Sequence, residues 1–311
     1  MTIKKVVVAG GGVLGSQIAL QSAYCGFDVT IWLRSEGSIE RAKPKLERLR
    51  NVYIEDLEAM KTDENAYCRG LIKKEDISDE KIEELKEQVQ KAYDSITLTT
   101  SYEEATEDAD LIIEAIAEIP EEKIAFYQEL AKHMPEKTIL VTNSSTFLPS
   151  TFAEFTGRPE KYLCLHFANS IWKNNTAEIM GHSGTEQKYY DEVVKFAEDI
   201  NMIPLLVKKE QPGYILNSLL VPFLKAASEL WANEVADPET IDKTWMLATG
   251  SPRGPFHIMD IVGLTTFYNV ASMHPDAKDP ESTQSKVIKL LKEKIDKGEL
   301  GINAKKGFYE Y

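Results

Sequence analysis

The fold is decided by the stretch VVVAGGGVLG, residues 6–15, close to the start of the chain. Its first four residues are apolar and run directly into glycines, which predicts a buried strand that ends in a tight turn. The glycines match G-x-G-x-x-G, in which the first allows the turn, the second lets the backbone approach a pyrophosphate, and the third lets a helix pack on the strand. A helix is predicted from Ser16 to Cys25, and its N-terminus would hold the phosphates. The predicted dinucleotide-binding residues are Gly10, Gly12, Val13, Leu14 and Gly15.

The segments after this loop predict a doubly wound, mostly parallel sheet. Gly26 is expected to end the first helix, and Val29–Leu33 is predicted to be the second strand. The glycines of residues 10–15 could also form an ordinary turn, but their place between a strand and a helix favours dinucleotide binding. Further strands are predicted at Ile96–Thr99, Leu111–Ala117, Ile139–Thr142, Leu163–His166, Ala177–Met180 and Ile203–Val207. Strands that alternate with helices are typical of an α/β fold with a Rossmann-type sheet.

Two parts of the chain are predicted to be helical. Between residues 39 and 94, apolar residues recur every three or four positions and Ser78 is a candidate N-cap, so we predict a helical-hairpin insertion in the sheet domain. The predicted apolar faces are Leu46, Leu49, Tyr53, Leu57 and Met60, and Ile82, Leu85, Val89 and Ala92. After Gly213 only helices are predicted, at Tyr214–Ala232, Pro238–Ala248 and Thr283–Lys297. We therefore predict a dinucleotide-binding domain, residues 1–205, and an all-helical C-terminal domain, residues 206–311.

The composition of the 311 residues excludes several classes of protein. Hydrophobic residues make up 43%, which suits a folded two-domain protein and not a disordered one. The net charge is −14 and no strongly basic tract is present, so nucleic acid is not an expected partner. The apolar run at residues 6–8 is too short for a signal peptide or a membrane span, and the three cysteines form no C-x-x-C pair. We expect a cytoplasmic protein with reduced thiols, no membrane partner and no metal site.

The residues after the second strand bear on the choice between NAD and NADP. An NAD enzyme usually has Asp or Glu here, about twenty residues after the glycine loop, to bind the ribose 2′-hydroxyl. This chain has Leu33, Arg34 and Ser35 instead. Arg34 is predicted to stack on the adenine and to pair with a 2′-phosphate beside Ser35, so NADP is favoured over NAD. Two interpretations stay open: Arg34 is a solvated residue of an NAD enzyme, or Glu36 supplies the missing carboxylate.

Further motifs follow one another in order along the chain. They are IEAIAE at 113–118, TNSST at 142–146, LHFAN at 165–169, Glu178, PGYILN at 212–217, RGPF at 253–256 and KGFYEY at 306–311. With the glycine loop, they make the sequence similar to the 3-hydroxyacyl-CoA dehydrogenase family, of the short single-activity type that resembles 3-hydroxybutyryl-CoA dehydrogenase. The resemblance covers essentially the whole chain. It implies NAD(P)-dependent interconversion of a short-chain (S)-3-hydroxyacyl-CoA and its 3-ketoacyl-CoA.

The resemblance also implies catalytic roles for four residues. His166 would be the general acid/base that takes the proton of the 3-hydroxyl while the C3 hydride passes to the nicotinamide. Glu178 would hold the far nitrogen of the imidazole and stabilise the imidazolium. Ser145 and Asn217 would donate hydrogen bonds to the 3-oxygen of the substrate, or to His166, as charge develops there.

On the cofactor side, the resemblance places Glu118 near the nicotinamide ribose and Asn143 among the cofactor-binding residues.

Without the motifs, His166, Ser145 and Asn217 have plainer structural interpretations. A histidine that ends a strand is more often structural, Ser145 would be a helix cap, and Asn217 would be a cap or an interface residue.

The sequence departs from the family pattern at two places that concern the substrate. Ser170 replaces a proline that usually follows the H-F-x-N motif, and Trp172 is added nearby, which leaves the acyl-chain preference open. In this family the helical insertion binds the CoA tail, but residues 45–96 here contain fourteen acidic and ten basic residues. Candidate cations for the CoA phosphates are Arg48, Lys73 and Lys74.

Two other functions compete with this interpretation. A relative on the same fold that oxidises a free hydroxy acid or a carnitine-like compound would keep His166 and Glu178 and would use a charged pocket, with Lys173 as a candidate. A non-enzymatic crystallin-type relative need not keep the catalytic residues, yet all four are present. No hydratase-like region is seen in the sequence, so a multifunctional fatty-acid oxidation protein is not expected.

A homodimer is expected from the resemblance and from the predicted helix that begins at Tyr214. This helix has too many apolar residues for one buried stripe, which indicates a second packing surface. These residues are Leu219, Leu220, Val221, Phe223 and Leu224.

Overall fold

One eight-stranded sheet organises the N-terminal part of the computed structural model, which describes residues 2–311. The strands are β1 (Lys5–Ala9), β2 (Asp28–Trp32), β3 (Thr97–Thr99), β4 (Leu111–Glu114), β5 (Ile139–Thr142), β6 (Tyr162–Phe167), β7 (Thr176–Met180) and β8 (Ile203–Val207). Their order across the sheet is β3-β2-β1-β4-β5-β6-β7-β8, and only β6 and β7 pair antiparallel. The predicted α/β fold with a Rossmann-type sheet is confirmed.

The chain divides into two compact units, the first ending at Ile215 and the second comprising Leu216–Tyr311. The helices of the first unit are α1 (Val13–Tyr24), α2 (Glu36–Ala59), α3 (Asp79–Ser95), α4 (Tyr102–Thr106), α5 (Pro120–Leu130) and α6 (Gln187–Asp199). Those of the second are α7 (Leu216–Ala232), α8 (Pro238–Thr249), α9 (Pro255–Val262), α10 (Leu264–Ser272) and α11 (Thr283–Asp296). The second unit is helical, as predicted, and its only strand-like pairings within the described residues are isolated bridges near the C-terminus.

The sheet is covered on both faces, which explains the unbroken apolar runs in its strands. In β1, Val6 and Val8 pack into one buried cluster with α1 and the helical hairpin. Val7 and Ala9 point to the opposite face and pack with residues of α4 and α5. Alternation along the strand therefore divides one apolar run between two cores.

The helical hairpin formed by α2 and α3 matches its predicted pattern. All nine residues of the two predicted apolar faces are buried. The side chain of Ser78 caps α3 by accepting a hydrogen bond from the backbone N–H of Lys81 at 3.2 Å. Periodicity and capping chemistry alone are thus sufficient to place this insertion.

Two of the C-terminal motifs have a structural explanation within the second unit. The carboxylate of Asp242 accepts hydrogen bonds from the backbone N–H groups of Phe256 and His257 at 2.8 and 2.9 Å. Asp260 accepts in the same way from Phe308 and Tyr309 at 2.8 and 3.0 Å. A Cβ atom on Gly254 or Gly307 would lie within 2.5 Å of these aspartates. RGPF and KGFYEY therefore supply the glycines and backbone donors that two buried carboxylates require.

The structure corrects several predicted boundaries. β4 ends at Glu114 and not at Ala117, because the Glu114 side chain accepts the backbone N–H of Ile116 at 2.8 Å and the chain leaves the sheet there. α1 begins at Val13, inside the glycine loop, and not at Ser16. α9 and α10 were not predicted, since each is short and Gly263 separates them.

The described residues show no membrane helix and no metal cluster. Across residues 2–311, no helix is both long and apolar enough to cross a bilayer. Nor do these residues bring three or more His, Cys, Asp or Glu side chains together as ligands for a metal ion. Cys25, Cys68 and Cys164 are free thiols, and burial raises the pKa of each to about 12, so they are protonated at neutral pH.

Candidate active site

The glycine loop has the close contacts that a dinucleotide-binding turn requires. Gly10 has φ +121°, and a Cβ atom there would lie 2.5 Å from the carbonyl oxygen of Ala115. A Cβ atom on Gly15 would lie 2.0 Å from the carbonyl oxygen of Gly10. Gly12, by contrast, faces open space, with no heavy atom within 4 Å of a Cβ position. These residues therefore fit the pyrophosphate of a dinucleotide. Gly10 and Gly15 close the turn, and Gly12 leaves its backbone accessible to a phosphate.

A cavity of about 500 Å³ opens beside this loop at the ends of β1 and β2. Its polar lining includes Arg34 and Glu122, which form an ion pair at 3.2 Å. Ser35 is the N-cap of α2, and its side chain accepts from the backbone N–H of Ser38 at 3.3 Å. Glu36 accepts a hydrogen bond from the hydroxyl of Thr100 at 3.3 Å. Of the three residues predicted to contact the ribose or its phosphate, Arg34 alone lines this cavity.

The cavity also has residues that sequence reasoning missed. Ser38, Arg41 and Lys45 of α2 line it, together with the aromatic side chains of Trp32 and Tyr102. Ser38, Arg41 and Lys45 are three and four residues apart on a predicted helix that follows the glycine loop. This spacing is the sequence signal that could have identified them.

A second, smaller cavity of about 180 Å³ joins the glycine loop to the predicted nicotinamide side. Its lining includes Gly12, Val13, Leu14 and Gly15 with Glu118, Asn143 and Ser144. The structure thus brings the predicted cofactor residues of three separate segments to one place. Glu118 accepts hydrogen bonds from the Ser144 hydroxyl at 2.8 Å and from the Ser145 backbone N–H at 3.3 Å.

His166 and Glu178 form a buried pair on the antiparallel strands β6 and β7. The two residues lie directly opposite each other in the register, so a spacing of twelve in sequence becomes contact in space. Nδ1 of His166 lies 3.1 Å from Oε2 of Glu178, and the residues are 7% and 3% exposed. Oε1 of Glu178 accepts the backbone N–H of Ile215 at 2.8 Å. The carboxylate is therefore fixed on both oxygens and engages Nδ1 of the imidazole.

Tyr214 lies flat against the imidazole of His166. The ring centroids are 4.4 Å apart with an interplanar angle of 16°, and the Tyr214 hydroxyl donates to the carbonyl oxygen of Ser144 at 2.7 Å. Burial raises the pKa of Tyr214, so the phenol stays protonated and remains a donor. Tyr214 stands in the PGYILN motif, but its sequence position gave no sign of this contact.

We expect Tyr214→Phe to lower the free energy of unfolding by about 1–3 kcal/mol, because the buried carbonyl of Ser144 loses its donor while the ring stacking is kept. Urea denaturation of the variant and the wild-type protein measures this difference. A change below about 0.5 kcal/mol would show that another group or water satisfies that carbonyl.

The remaining predicted residues lie in different places. Ser145 is exposed at the end of β5, with its hydroxyl 3.5 Å from that of Thr146. Asn143 accepts the backbone N–H of Phe167 at 3.1 Å and so ties its segment to the residue after His166. Asn217 belongs to the other unit, where it is the second residue of α7 and is half-buried. Of these three residues, Asn143 and Ser145 thus belong to the first unit and Asn217 to the second.

A buried ion pair beneath this site was not predicted. Nζ of Lys123 lies 2.7 Å from Oε1 of Glu114, and neither side chain is more than 1% exposed. Oε2 of Glu114 accepts from the hydroxyls of Tyr127 and Thr142, both at 2.6 Å. Lys123 also lies 3.7 Å from Glu118, so this network continues to the cofactor side. A glutamate inside the apolar run of β4 was the only sequence signal of it.

The segment after His166 packs on the helical hairpin. Ser170, which replaces the usual proline, has φ +58°, and its N–H donates to Gln17 at 2.9 Å. The indole N–H of Trp172 donates to Asp56 at 2.7 Å, and Lys173 pairs with the same carboxylate at 2.8 Å. Trp172 is buried, so it is a core residue, and Lys173 is neutralised in place. The idea that Lys173 binds a substrate carboxylate therefore gains no support.

Models of one protein family match nearly the whole chain. The model for the NAD binding domain of 3-hydroxyacyl-CoA dehydrogenase matches residues 5–211, and the model for the C-terminal domain of the same enzymes matches residues 213–311. The chain is 30% identical to the human mitochondrial hydroxyacyl-coenzyme A dehydrogenase, over 99% of this chain and 91% of that protein. It is 29% identical to the 3-hydroxybutyryl-CoA dehydrogenase of Clostridioides difficile, over 99% of each.

One solved structure is more similar to this chain in sequence than the two relatives above. A diketoreductase, reported for substrate-directed dual catalysis of dicarbonyl compounds, is 44% identical, covers 100% of both chains and superposes with a TM-score of 0.86. The likeness therefore covers the residues of both units.

Proposed function

The chain belongs to the 3-hydroxyacyl-CoA dehydrogenase family of oxidoreductases, and on that premise we propose that it interconverts a short 3-hydroxyacyl thioester and its 3-keto form. The buried pair of His166 and Glu178 at 3.1 Å, beside a dinucleotide-type glycine loop, is the observation that supports this most. Homologues that match along the full chain have names of this activity.

His166 is the proposed general acid/base. Its Nδ1 is engaged by Glu178, so Nε2 is the nitrogen that takes the proton of the 3-hydroxyl in oxidation and returns it in reduction. When bound, the nicotinamide accepts a hydride from C3 of the substrate or gives it back. Glu178 stabilises the imidazolium that forms, and Tyr214 holds the ring flat against rotation.

Other predicted residues have supporting roles in this proposal. The hydroxyl of Ser145 donates a hydrogen bond to the 3-oxygen, where negative charge develops. For Asn217, the proposed role is the one that the family resemblance implies. Glu118 and Asn143 bind the nicotinamide side of the cofactor, since both line the cavity beside Gly12. We also propose that NADPH is preferred, because Leu33 stands where an NAD enzyme has a carboxylate.

A second candidate is the reduction of a free dicarbonyl compound. It is favoured by the 44% identity to the diketoreductase, against 30% for the human CoA-linked relative. In the hairpin, Lys61 and Lys86 both pair with Glu58 and Glu83, so these two lysines are already engaged and are not free for the phosphates of CoA. Of the predicted CoA cations, Arg48, Lys73 and Lys74 are exposed on its surface.

The two candidates differ in whether the CoA thioester or the free dicarbonyl compounds are expected to have the higher kcat/KM. Purified protein is assayed with acetoacetyl-CoA and with the free compounds ethyl acetoacetate and 2,4-pentanedione, by loss of NADPH or NADH absorbance. The first proposal predicts a higher kcat/KM for acetoacetyl-CoA, and the second predicts the reverse. Absence of turnover with all three would contradict both.

We propose a homodimer with its contact on the helical unit. Several large apolar side chains of this unit are exposed, among them Leu219, Val235, Leu247 and Met273 at 66–81%. An exposed apolar surface of this kind is typical of an interaction site. Sedimentation equilibrium at micromolar concentration is expected to give twice the mass of the chain. A single species with the mass of one chain would contradict this prediction.

A further inference from the structure

Three side chains of α2 form a polar face along the cavity at the end of β2. Ser38, Arg41 and Lys45 are three and four residues apart, which places them on one side of the helix. All three line the 500 Å³ cavity together with Gly10, Gly11 and Gly12. This face therefore lies where the adenosine half of a dinucleotide meets the glycine loop.

The cations of this face are held in place and have not been neutralised. Nη2 of Arg41 donates to the Ser38 hydroxyl at 2.9 Å, and Nζ of Lys45 lies 3.4 Å from the carbonyl oxygen of Gly11. Among the ion pairs of residues 2–311, none includes Arg41 or Lys45. Lys43 and Arg50, on other faces of the same helix, pair with Glu40 and Glu47.

Carboxylates are directed away from this face. Glu122 is the one carboxylate in the described lining of the cavity, and it pairs with Arg34 at 3.2 Å. Glu36, the nearest acidic residue in sequence to the end of β2, accepts a hydrogen bond from Thr100 and is not part of the lining. A ribose 2′-hydroxyl would thus find no free carboxylate there, whereas a dianion would find two cations and a hydroxyl.

We infer that Ser38, Arg41 and Lys45 form a binding site for the 2′-phosphate of an adenine dinucleotide. This inference rests on the proposed function for the presence of the cofactor, and it moves the selective contacts from Arg34 to α2. Arg34 and Glu122 form a neutral pair at the edge of the cavity and contribute little to the choice between NADP and NAD.

The test measures binding of two cofactor fragments, so it does not depend on turnover. Isothermal titration compares 2′,5′-ADP with 5′-AMP, which lacks the 2′-phosphate, on the full chain. Wild-type protein is expected to bind 2′,5′-ADP about tenfold to a hundredfold more tightly. In the double variant Arg41→Ala/Lys45→Ala this preference is expected to disappear, while the affinity for 5′-AMP is kept. Lys43→Ala, which removes a cation from another face of α2, is the control and is expected to keep the preference.

Two results would overturn the inference. Equal affinity of the wild-type protein for both fragments would show that no 2′-phosphate site exists. Turnover with NADH would then keep the proposed reaction and would contradict only the proposed preference for NADPH. Loss of the preference in Arg34→Ala, but not in the double variant, would assign the phosphate to Arg34. Conversely, a preference that disappears in the double variant supports the inference even if acetoacetyl-CoA and the free dicarbonyl compounds are not turned over.

Discussion

Replacement of His166 by asparagine is expected to lower kcat by about a hundredfold to ten-thousandfold, the usual contribution of a positioned general acid/base. The amide of asparagine can keep a hydrogen bond to Glu178 at the position of Nδ1, but it has no atom at the position of Nε2. The variant can no longer take or return the proton at the 3-oxygen. Steady-state rates with acetoacetyl-CoA and NADPH measure the loss, and quenching of tryptophan fluorescence by NADPH measures cofactor binding, which is expected to change little.

A matched control is available on another histidine. His133, after α5, lies within 3.2 Å of Glu129 and so also has a carboxylate partner, but it lies outside the site. His133→Asn is expected to leave kcat unchanged. If His166→Asn keeps more than half of the wild-type kcat, the proton is handled by another group and the proposed mechanism is wrong.

The second large effect is on stability. Lys123→Met is expected to lower the free energy of unfolding by about 3–5 kcal/mol, because it leaves the carboxylate of Glu114 buried without its counter-charge. Both side chains are at most 1% exposed, so water cannot replace the lost partner. Urea denaturation followed by circular dichroism measures the change.

Two further variants decide the cause of that loss. Lys132→Met removes a lysine of the same region that is 65% exposed and paired with Glu129, and it is expected to cost at most about 1 kcal/mol. The double variant Lys123→Met/Glu114→Gln removes both charges and is expected to recover part of the loss. Equal costs for Lys123→Met and Lys132→Met would show that the buried pair does not stabilise the fold.

The sheet and the hairpin were predictable because their residues follow simple periods. Strands buried on both faces are continuous apolar runs, and the two hairpin helices place apolar residues every three or four positions. The glycine loop was predictable because its glycines have the spacing G-x-G-x-x-G between a strand and a helix. Local sequence decides these features, so no knowledge of distant contacts was needed.

Contacts between segments that are distant along the chain could not be predicted from the sequence. Nothing in the spacing of Glu114 and Lys123 shows that a strand and a helix bring them within 2.7 Å. Tyr214 follows His166 by 48 positions, and only the folded chain stacks the two rings. Arg34 was predicted from its position after β2, but its pairing with Glu122 depends on where α5 lies.

The candidate site residues were predicted from family motifs and not from geometry. The structure joins His166 to Glu178 by a hydrogen bond, and it places Glu118 and Asn143 in the lining of one cavity. Two motifs that contributed to the resemblance, at 253–256 and 306–311, serve buried aspartates in the second unit. A motif can thus identify a family through residues that maintain its fold.

Transfer of deuterium tests the central claim most directly. The protein is incubated with acetoacetyl-CoA and NADPH or NADH that has deuterium at C4 of the nicotinamide, in the 4R and 4S forms separately. We predict that one of the two forms gives 3-hydroxybutyryl-CoA with a single deuterium at C3, detected by mass spectrometry. A product without deuterium from both forms, or no reduced product at all, would contradict direct hydride transfer to a 3-keto thioester.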